Sequence, residues 1–154
     1  MLDRERRLPV NQDLQFMSLA VEQARIGARE GGLPIGAALV CDGTVLGVGR
    51  NRLVQQSSVI RHAETDCLEN AGPQPPDVYA RCTLYTTMSP CQMCAGAVLL
   101  HQVPRVVIGE NRSWQSSEEH LRAHGVDVVV LDLEECVDMM NELLARHPEL
   151  WSWG

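Results

Sequence analysis

Cys82-Thr83-Leu84-Tyr85-Thr86-Thr87-Met88-Ser89-Pro90-Cys91-Gln92-Met93-Cys94 changes character at its centre. Residues 82–87 are mostly β-branched or aromatic and predict a strand. Ser89-Pro90 then opens a helix from Cys91 to about His101, because a proline has no N–H to lose in a first helical turn. That helix is apolar on nearly every side, which predicts burial. Cys91 and Cys94 stand three apart and so share one of its faces. Upstream, His62-Ala63-Glu64 begins another helix, which runs to Ala71 and stops at Gly72-Pro73. A strand feeding a helix, with a second helix start carrying polar residues before it, is the grammar of an α/β chain.

The rest of the sequence extends this pattern. Leu14, Met17, Val21, Ala24 and Ala28 recur at three and four, an amphipathic helix whose wet side is Gln15, Ser18, Glu22, Arg25 and Arg29. Gly31-Gly32 ends it and Pro34 prevents its continuation. Ile35–Cys41 and Thr44–Gly49 read as strands joined by the hairpin pair Asp42-Gly43, and a polar loop carrying Asn51 follows. Pro73 to Asp77 is a Pro-rich surface connection. Beyond the central stretch come a strand at Arg105–Gly109 and a helix at Ser116–His124 with a Ser116/Glu119 capping box. A fifth strand at Val126–Leu131 and a last helix capped by Asp132, with Leu133, Val137, Met140 and Leu144 on its apolar face, complete the chain. The expected fold is one domain over residues 1–154, with a mixed sheet layered between helices.

His62, Cys91 and Cys94 make a three-ligand set for one tetrahedral Zn²⁺ with a fourth position left open. Both groups start helices, whose free amides and positive dipole ends favour thiolates. The C-x-x-C alone could be a redox pair, but that reading leaves His62-Ala63-Glu64 unexplained. A structural zinc site needs a fourth closely spaced ligand, and none is evident in the sequence. The joint pattern H-x-E with P-C-x-x-C marks zinc-dependent base deaminases. Two thiolates and a neutral imidazole cancel the charge of Zn²⁺, so water there is less acidified than at an all-histidine site. A nearby base must therefore help. Glu64 is the only carboxylate in the motif, and it is expected to move protons from the attacking water to a ring nitrogen and then to the leaving amine.

Composition narrows the partners. With 13 Arg plus Lys against 20 Asp plus Glu, the net charge is −7, which argues against a nucleic-acid surface. Arg4, Arg6 and Arg7, interrupted by Glu5, read as a solvated arm. No secretory or membrane-spanning segment is evident, so no membrane partner is expected. Of the six cysteines, Cys41, Cys67, Cys82 and Cys136 sit in apolar stretches and read as small buried hydrophobes. A thiolate metal site favours a reducing, cytoplasmic setting.

Nearly the whole chain resembles fungal-type cytosine deaminase. The likeness rests on Gly31-Gly32-Leu33-Pro34-Ile35-Gly36, Asn51, His62-Ala63-Glu64, Leu68-Glu69-Asn70, Thr83 to Thr87, Ser89-Pro90-Cys91, Met93 to Ala97 and Gly109-Glu110-Asn111. The resemblance implies an α/β/α sandwich around a five-stranded mixed sheet, a homodimer and a free nucleobase as substrate. Carried over by position, Asn51 would hold the ring edge and the Ala63 backbone the ring carbonyl. The Ser89 and Cys91 backbones would meet the departing amine, and Ile35, Met88, Trp114 and Trp151 would wall the pocket. Trp114 replaces the family's phenylalanine and Met88 its leucine, while Gly154 stands where the family has an aspartate that contacts the amine. Asp66 is a further departure, read as a solvated helix residue with a supporting role behind the site as the alternative. Trp114, Trp151 and Trp153 read as a lid over a flat ligand, with pinning of the chain end or of a dimer interface as the alternative. Isocytosine, guanine and aminotriazines such as ammeline are the alternative substrates. A tRNA adenosine deaminase shares the metal motif, but the last helix carries Asp132, Glu134, Glu135, Asp138 and Glu142 against Arg146, a poor RNA face.

Overall fold

A computed structural model describes residues 10–153. The arm at Arg4, Arg6 and Arg7 and the position of Gly154 lie outside the described residues, as does the side chain of Trp153. In chain order the elements are α1 (Val10–Arg29), β1 (Gly36–Cys41), β2 (Thr44–Arg50), α2 (Leu53–Gln56), α3 (Ala63–Ala71), α4 (Pro76–Tyr79) and β3 (Cys82–Met88). They continue with α5 (Gln92–His101), β4 (Arg105–Glu110), α6 (Glu118–Ala123), β5 (Asp127–Val130), α7 (Glu134–Arg146) and a 3-10 turn at Pro148–Trp153. The five strands form one mixed sheet in the order β2-β1-β3-β4-β5. β1 is antiparallel to both neighbours, while β3, β4 and β5 run parallel. Asp42 and Gly43 both take positive φ, 48° and 80°, as a tight two-residue hairpin requires.

Helices cover both faces, giving the expected α/β/α layering. On one face, Met17, Ala20 and Val21 of α1 and Cys136 of α7 pack on Ala38, Val40, Tyr85 and Val107. On the other, Ala63 and Cys67 of α3, Ala95 and Val98 of α5 and Leu121 of α6 pack on Leu39, Leu84, Val106 and Ile108. The strands alternate between the two layers with the period of two that a pleated sheet imposes. α3 lies so close to β2 that a Cβ on Gly49 would sit 2.3 Å from the Cys67 nitrogen. That glycine lets α3 approach the sheet and sets the depth of its first turn.

Several local expectations are corrected. α5 is not buried all round: Met93 is 37% and Leu100 76% exposed, and Gly96 faces out with them. Pro90 precedes the helix, because Cys91 is the N-cap. Neither Ser116 nor Asp132 caps a helix. Ser117 and Leu133 occupy the N-cap positions without side-chain caps, and Asp132, at φ 56°, pairs with Arg112. On α1, Leu14 is exposed and Asp13 is buried in its place, since Asp13 accepts bidentate bonds from Arg105 at 2.8 Å each and one from the Tyr85 hydroxyl at 2.8 Å. On α7 it is Leu143 that is buried beside Val137 and Met140, while Leu144 is half-buried. The polar loop after β2 and the Pro-rich connection each contain a single helical turn, α2 and α4. Among the described residues no helix is long and apolar enough to cross a membrane.

Candidate active site

The sheet delivers the site at one end. β2 and β3 both finish there, β1 begins there, and each strand hands over directly to a residue of the pocket. The Asn51 backbone N–H donates to the Ile35 carbonyl at 3.1 Å, and the Gly36 N–H donates to Thr87 Oγ1 at 3.1 Å. Ile35, Asn51 and Met88 are thereby brought to one edge of the sheet. His62 is the N-cap of α3 and Cys91 the N-cap of α5, so two helix N-termini converge on the same point. Ala63 is the first residue of α3, a position whose backbone N–H has no acceptor within the helix.

His62 Nδ1 lies 3.4 Å from Cys91 Sγ and 3.7 Å from Cys94 Sγ, and all three donor atoms lie within 4.8 Å of one another. A tetrahedral zinc with ordinary Zn–N and Zn–S lengths would separate its nitrogen and sulfur ligands by about 3.6 Å. The three side chains therefore fit the ion without rearrangement. Among the described residues they are the only cluster of this kind, and no fourth carboxylate, thiol or imidazole joins them. The set has the composition of an open site rather than a closed one.

The electrostatics suit a cation. Cys91 is pulled down to about 4, first by the hydrogen bond from the Cys94 thiol, then by His62 and by the Cys94 backbone N–H that donates to its sulfur at 3.5 Å. Cys94, with its thiol proton shared toward Cys91 and its surroundings dry, is pushed up. His62 is raised, first by its bond to Cys91. Glu64 is 4% exposed and burial pushes its carboxyl up. Its Oε1 accepts from Thr86 Oγ1 at 2.6 Å, and the same hydroxyl lies 2.9 Å from the Met88 carbonyl. Burial thus favours the neutral form of a carboxyl that is held by a rotatable hydroxyl.

One cavity joins these parts. It is lined by Leu33, Ile35, Asn51, His62, Ala63, Glu64, Met88, Ser89, Cys91, Trp114 and Trp151. Every residue that the sequence assigns to the pocket wall lines it, and Cys94 is buried just behind. Leu33 was not singled out from sequence, although it lies in the Gly-Gly-Leu-Pro stretch. Nor was Thr86, which nothing in a β-branched strand distinguishes from its neighbours. Glu118 was missed as well: it is 3% exposed, takes the Ser89 hydroxyl at 2.7 Å and the Asn111 amide at 3.2 Å, and so braces the segment beside Cys91. Asn51 Oδ1 accepts from the Leu53 N–H at 2.9 Å, which leaves its amide N–H₂ to face the cavity. Asp66 does not line the cavity and is not solvated: it is fully buried. The solvated reading fails because the guanidinium groups of Arg52 and Arg61, with the backbone N–H of Arg50 at the end of β2, close over its carboxylate.

The sequence model of the cytidine and deoxycytidylate deaminase zinc-binding region matches residues 10–110. The chain is 44% identical over 141 residues to the cytosine deaminase of Candida albicans, covering 91% of this chain and 94% of that one. It is 35% identical over 100 residues to the tRNA-specific adenosine deaminase of Buchnera aphidicola, covering 64% of this chain and 66% of that one. Among solved structures, the guanine deaminase of Nitrosomonas europaea superposes with a TM-score of 0.72 at 25% identity, covering 91% of this chain and 87% of that one. The metal-ready trio, the buried glutamate beside it and these matches lead to one conclusion: the chain belongs to the zinc-binding cytidine and deoxycytidylate deaminase family.

Proposed function

We propose that residues 1–154 form a single deaminase domain that hydrolyses a free nucleobase, cytosine first, to its keto product and ammonia. The observation that carries this reading is the cavity itself. Apolar and aromatic walls from Ile35, Met88, Trp114 and Trp151 enclose a slot lined also by Asn51, Glu64, His62 and Cys91, with Cys94 buried just behind. Such walls suit a flat heterocycle held by stacking. When bound by His62, Cys91 and Cys94, one Zn²⁺ per chain makes water a competent nucleophile near neutral pH.

The chain's own residues supply the remaining steps. The free amide N–H₂ of Asn51 donates to an acceptor on the ring edge, and the Ala63 N–H donates to the ring carbonyl. Glu64 takes a proton from the attacking water and places it on the ring nitrogen beside the reacting carbon. It then carries a second proton to the exocyclic nitrogen, which leaves as ammonia past Ser89 and Cys91. Thr86 holds the Glu64 carboxylate at the correct distance throughout.

A homodimer in the cytoplasm accompanies this reading. The outward strip of α5, with Met93 and Leu100, supports it as an apolar surface that a second copy would cover. Ammonia release from cytosine, isocytosine, ammeline, guanine and cytidine tests the substrate. Cytosine is expected to give the highest kcat/KM, with relaxed selectivity toward isocytosine and ammeline if the tryptophan walls dominate. Cytidine leading the panel would refute a free-base site, because the ring nitrogen that bears its sugar would face Asn51. Guanine leading would refute the pyrimidine assignment.

A further inference from the structure

We infer that Asp66 is a positioning residue that sets the separation between Asn51 and His62, an inference that rests on the deaminase reading of the site. The carboxylate is 0% exposed and lies outside the cavity, yet it gathers both ends of the loop that supplies those two residues. Its Oδ2 accepts the Arg50 backbone N–H at 3.0 Å, Arg52 Nε at 3.2 Å and Asn70 Nδ2 at 3.4 Å. Its Oδ1 accepts Arg61 Nε at 2.9 Å and lies 2.7 Å from Arg61 Nη2. The Arg52 N–H also donates to the Arg61 carbonyl at 2.9 Å, closing the loop on itself. Asn51 is thus flanked on both sides by residues bound to Asp66, and His62 directly follows a third.

The two ends of this clasp are not equally secure without Asp66. His62 has other supports: its N–H donates to Thr65 Oγ1 at 2.9 Å, and its ring meets Cys91 and Cys94. Asn51 has its backbone bond to Ile35 and its side-chain bond to Leu53, which belongs to the same loop. Loss of the clasp therefore displaces Asn51 relative to a metal trio that stays in place. The consequence falls on substrate binding more than on the metal or the proton-transfer step. Arg52 and Arg61 are 18% and 35% exposed, and with Asp66 neutralised they would press two uncompensated cations on the same loop.

The test compares Arg61→Leu, Asp66→Asn and the double variant with the wild-type enzyme, all loaded with zinc. Zinc content, KM and kcat for the preferred base are measured. Binding of a non-reactive pyrimidine analogue is followed by the fluorescence of Trp114 and Trp151. Asp66→Asn turns one acceptor into a donor facing Arg61, so KM and the analogue Kd are expected to rise together by on the order of 10- to 100-fold, as for a misplaced binding group. Zinc stays at one per chain and kcat changes far less. Arg61→Leu, which leaves Arg52 and the Arg50 N–H on the carboxylate, shows a smaller rise. The double variant is expected to bind better than Asp66→Asn alone, because the amide no longer faces a guanidinium while its oxygen still serves Arg50 and Arg52. Folded variants with unchanged KM and unchanged analogue Kd, differing only in melting temperature, overturn the inference. Variants that lose zinc in step with affinity overturn it too. If the wild-type chain deaminates no base while analogue binding still depends on Asp66, the deaminase reading fails and the positioning role stands.

Discussion

Replacing Glu64 by glutamine isolates the proton-carrying role proposed for it. The two side chains have nearly the same shape, and the site is 4% exposed, so packing is preserved. The partner is adaptable. Thr86 Oγ1 stands 2.6 Å from Glu64 Oε1 and 2.9 Å from the Met88 carbonyl, and one hydroxyl hydrogen serves one of them at a time. Beside an ionised Glu64 the hydrogen points to the carboxylate. When Glu64 holds the proton it can donate to the Thr86 oxygen, whose hydrogen then turns to Met88. Glutamine can adopt the second arrangement and remain satisfied, so fold and zinc content are expected to match wild type. What it cannot do is accept and return a proton, which costs about 10²–10⁴ in kcat, or about 2.7–5.4 kcal/mol. Thr86→Val keeps the carboxylate but strips its donor, a loss of about 1–3 kcal/mol, hence roughly 5- to 150-fold. The assay is single-turnover ammonia release at saturating base, with zinc measured on the same samples. A Glu64→Gln enzyme within fivefold of wild-type kcat would show that another group moves the protons. A Thr86→Val enzyme as slow as Glu64→Gln would show that the hydroxyl does more than hold.

Cys91→Ala should lose zinc and melt earlier, because metal binding is coupled to folding; full occupancy by elemental analysis would remove the trio from the site. No salt-sensitive tRNA binding is expected from a chain of net charge −7, and micromolar binding that weakens steeply with added salt would revive the RNA reading. Asp13→Ala should take the bidentate partner from Arg105, which is 9% exposed and keeps Asp127 at 3.3 Å, at a cost of about 1.5–3 kcal/mol. For a domain of this size that is a fall in Tm of roughly 3–12 °C, with kinetics of the folded protein unchanged. A shift under 3 °C would mean the pair relaxes to solvent.

The relatives divide between free-base and tRNA deaminases, and the discriminating features here lie outside the shared metal motif. The Candida cytosine deaminase is matched over 91% of this chain, the Buchnera tRNA-specific enzyme over 64%. The portion beyond the match to the family model, after residue 110, contains Trp114, Trp151 and the acidic face of α7. Trp114 and Trp151 line the cavity and α7 begins with Glu134 and Glu135, features that support the proposed free-base reading.

What the sequence determined by itself is local or covalent in origin. The Asp42-Gly43 turn, the helix starts at His62 and Cys91, and the order of strands and helices follow from backbone preferences that neighbours along the chain already specify. The donor set His62, Cys91 and Cys94 was legible for a related reason: metal ligation restricts residue type so strongly that spacing alone exposes it. Tertiary structure decided everything that depends on which groups meet across the sheet. Nothing near Asp13 in the sequence marks it for burial; Arg105 and Tyr85, 92 and 72 positions away, draw it inside. Asp66 looked solvated until the Arg52 and Arg61 side chains and the Arg50 backbone N–H closed over it, and Thr86 looked like any strand threonine until α3 placed Glu64 against its hydroxyl. The exposed strip on α5 was illegible for the converse reason, since an apolar sequence reports that a surface will be covered and not which molecule covers it. A buried charge is tolerated only where partners arrive from elsewhere in the chain, and that arrival is a property of the fold.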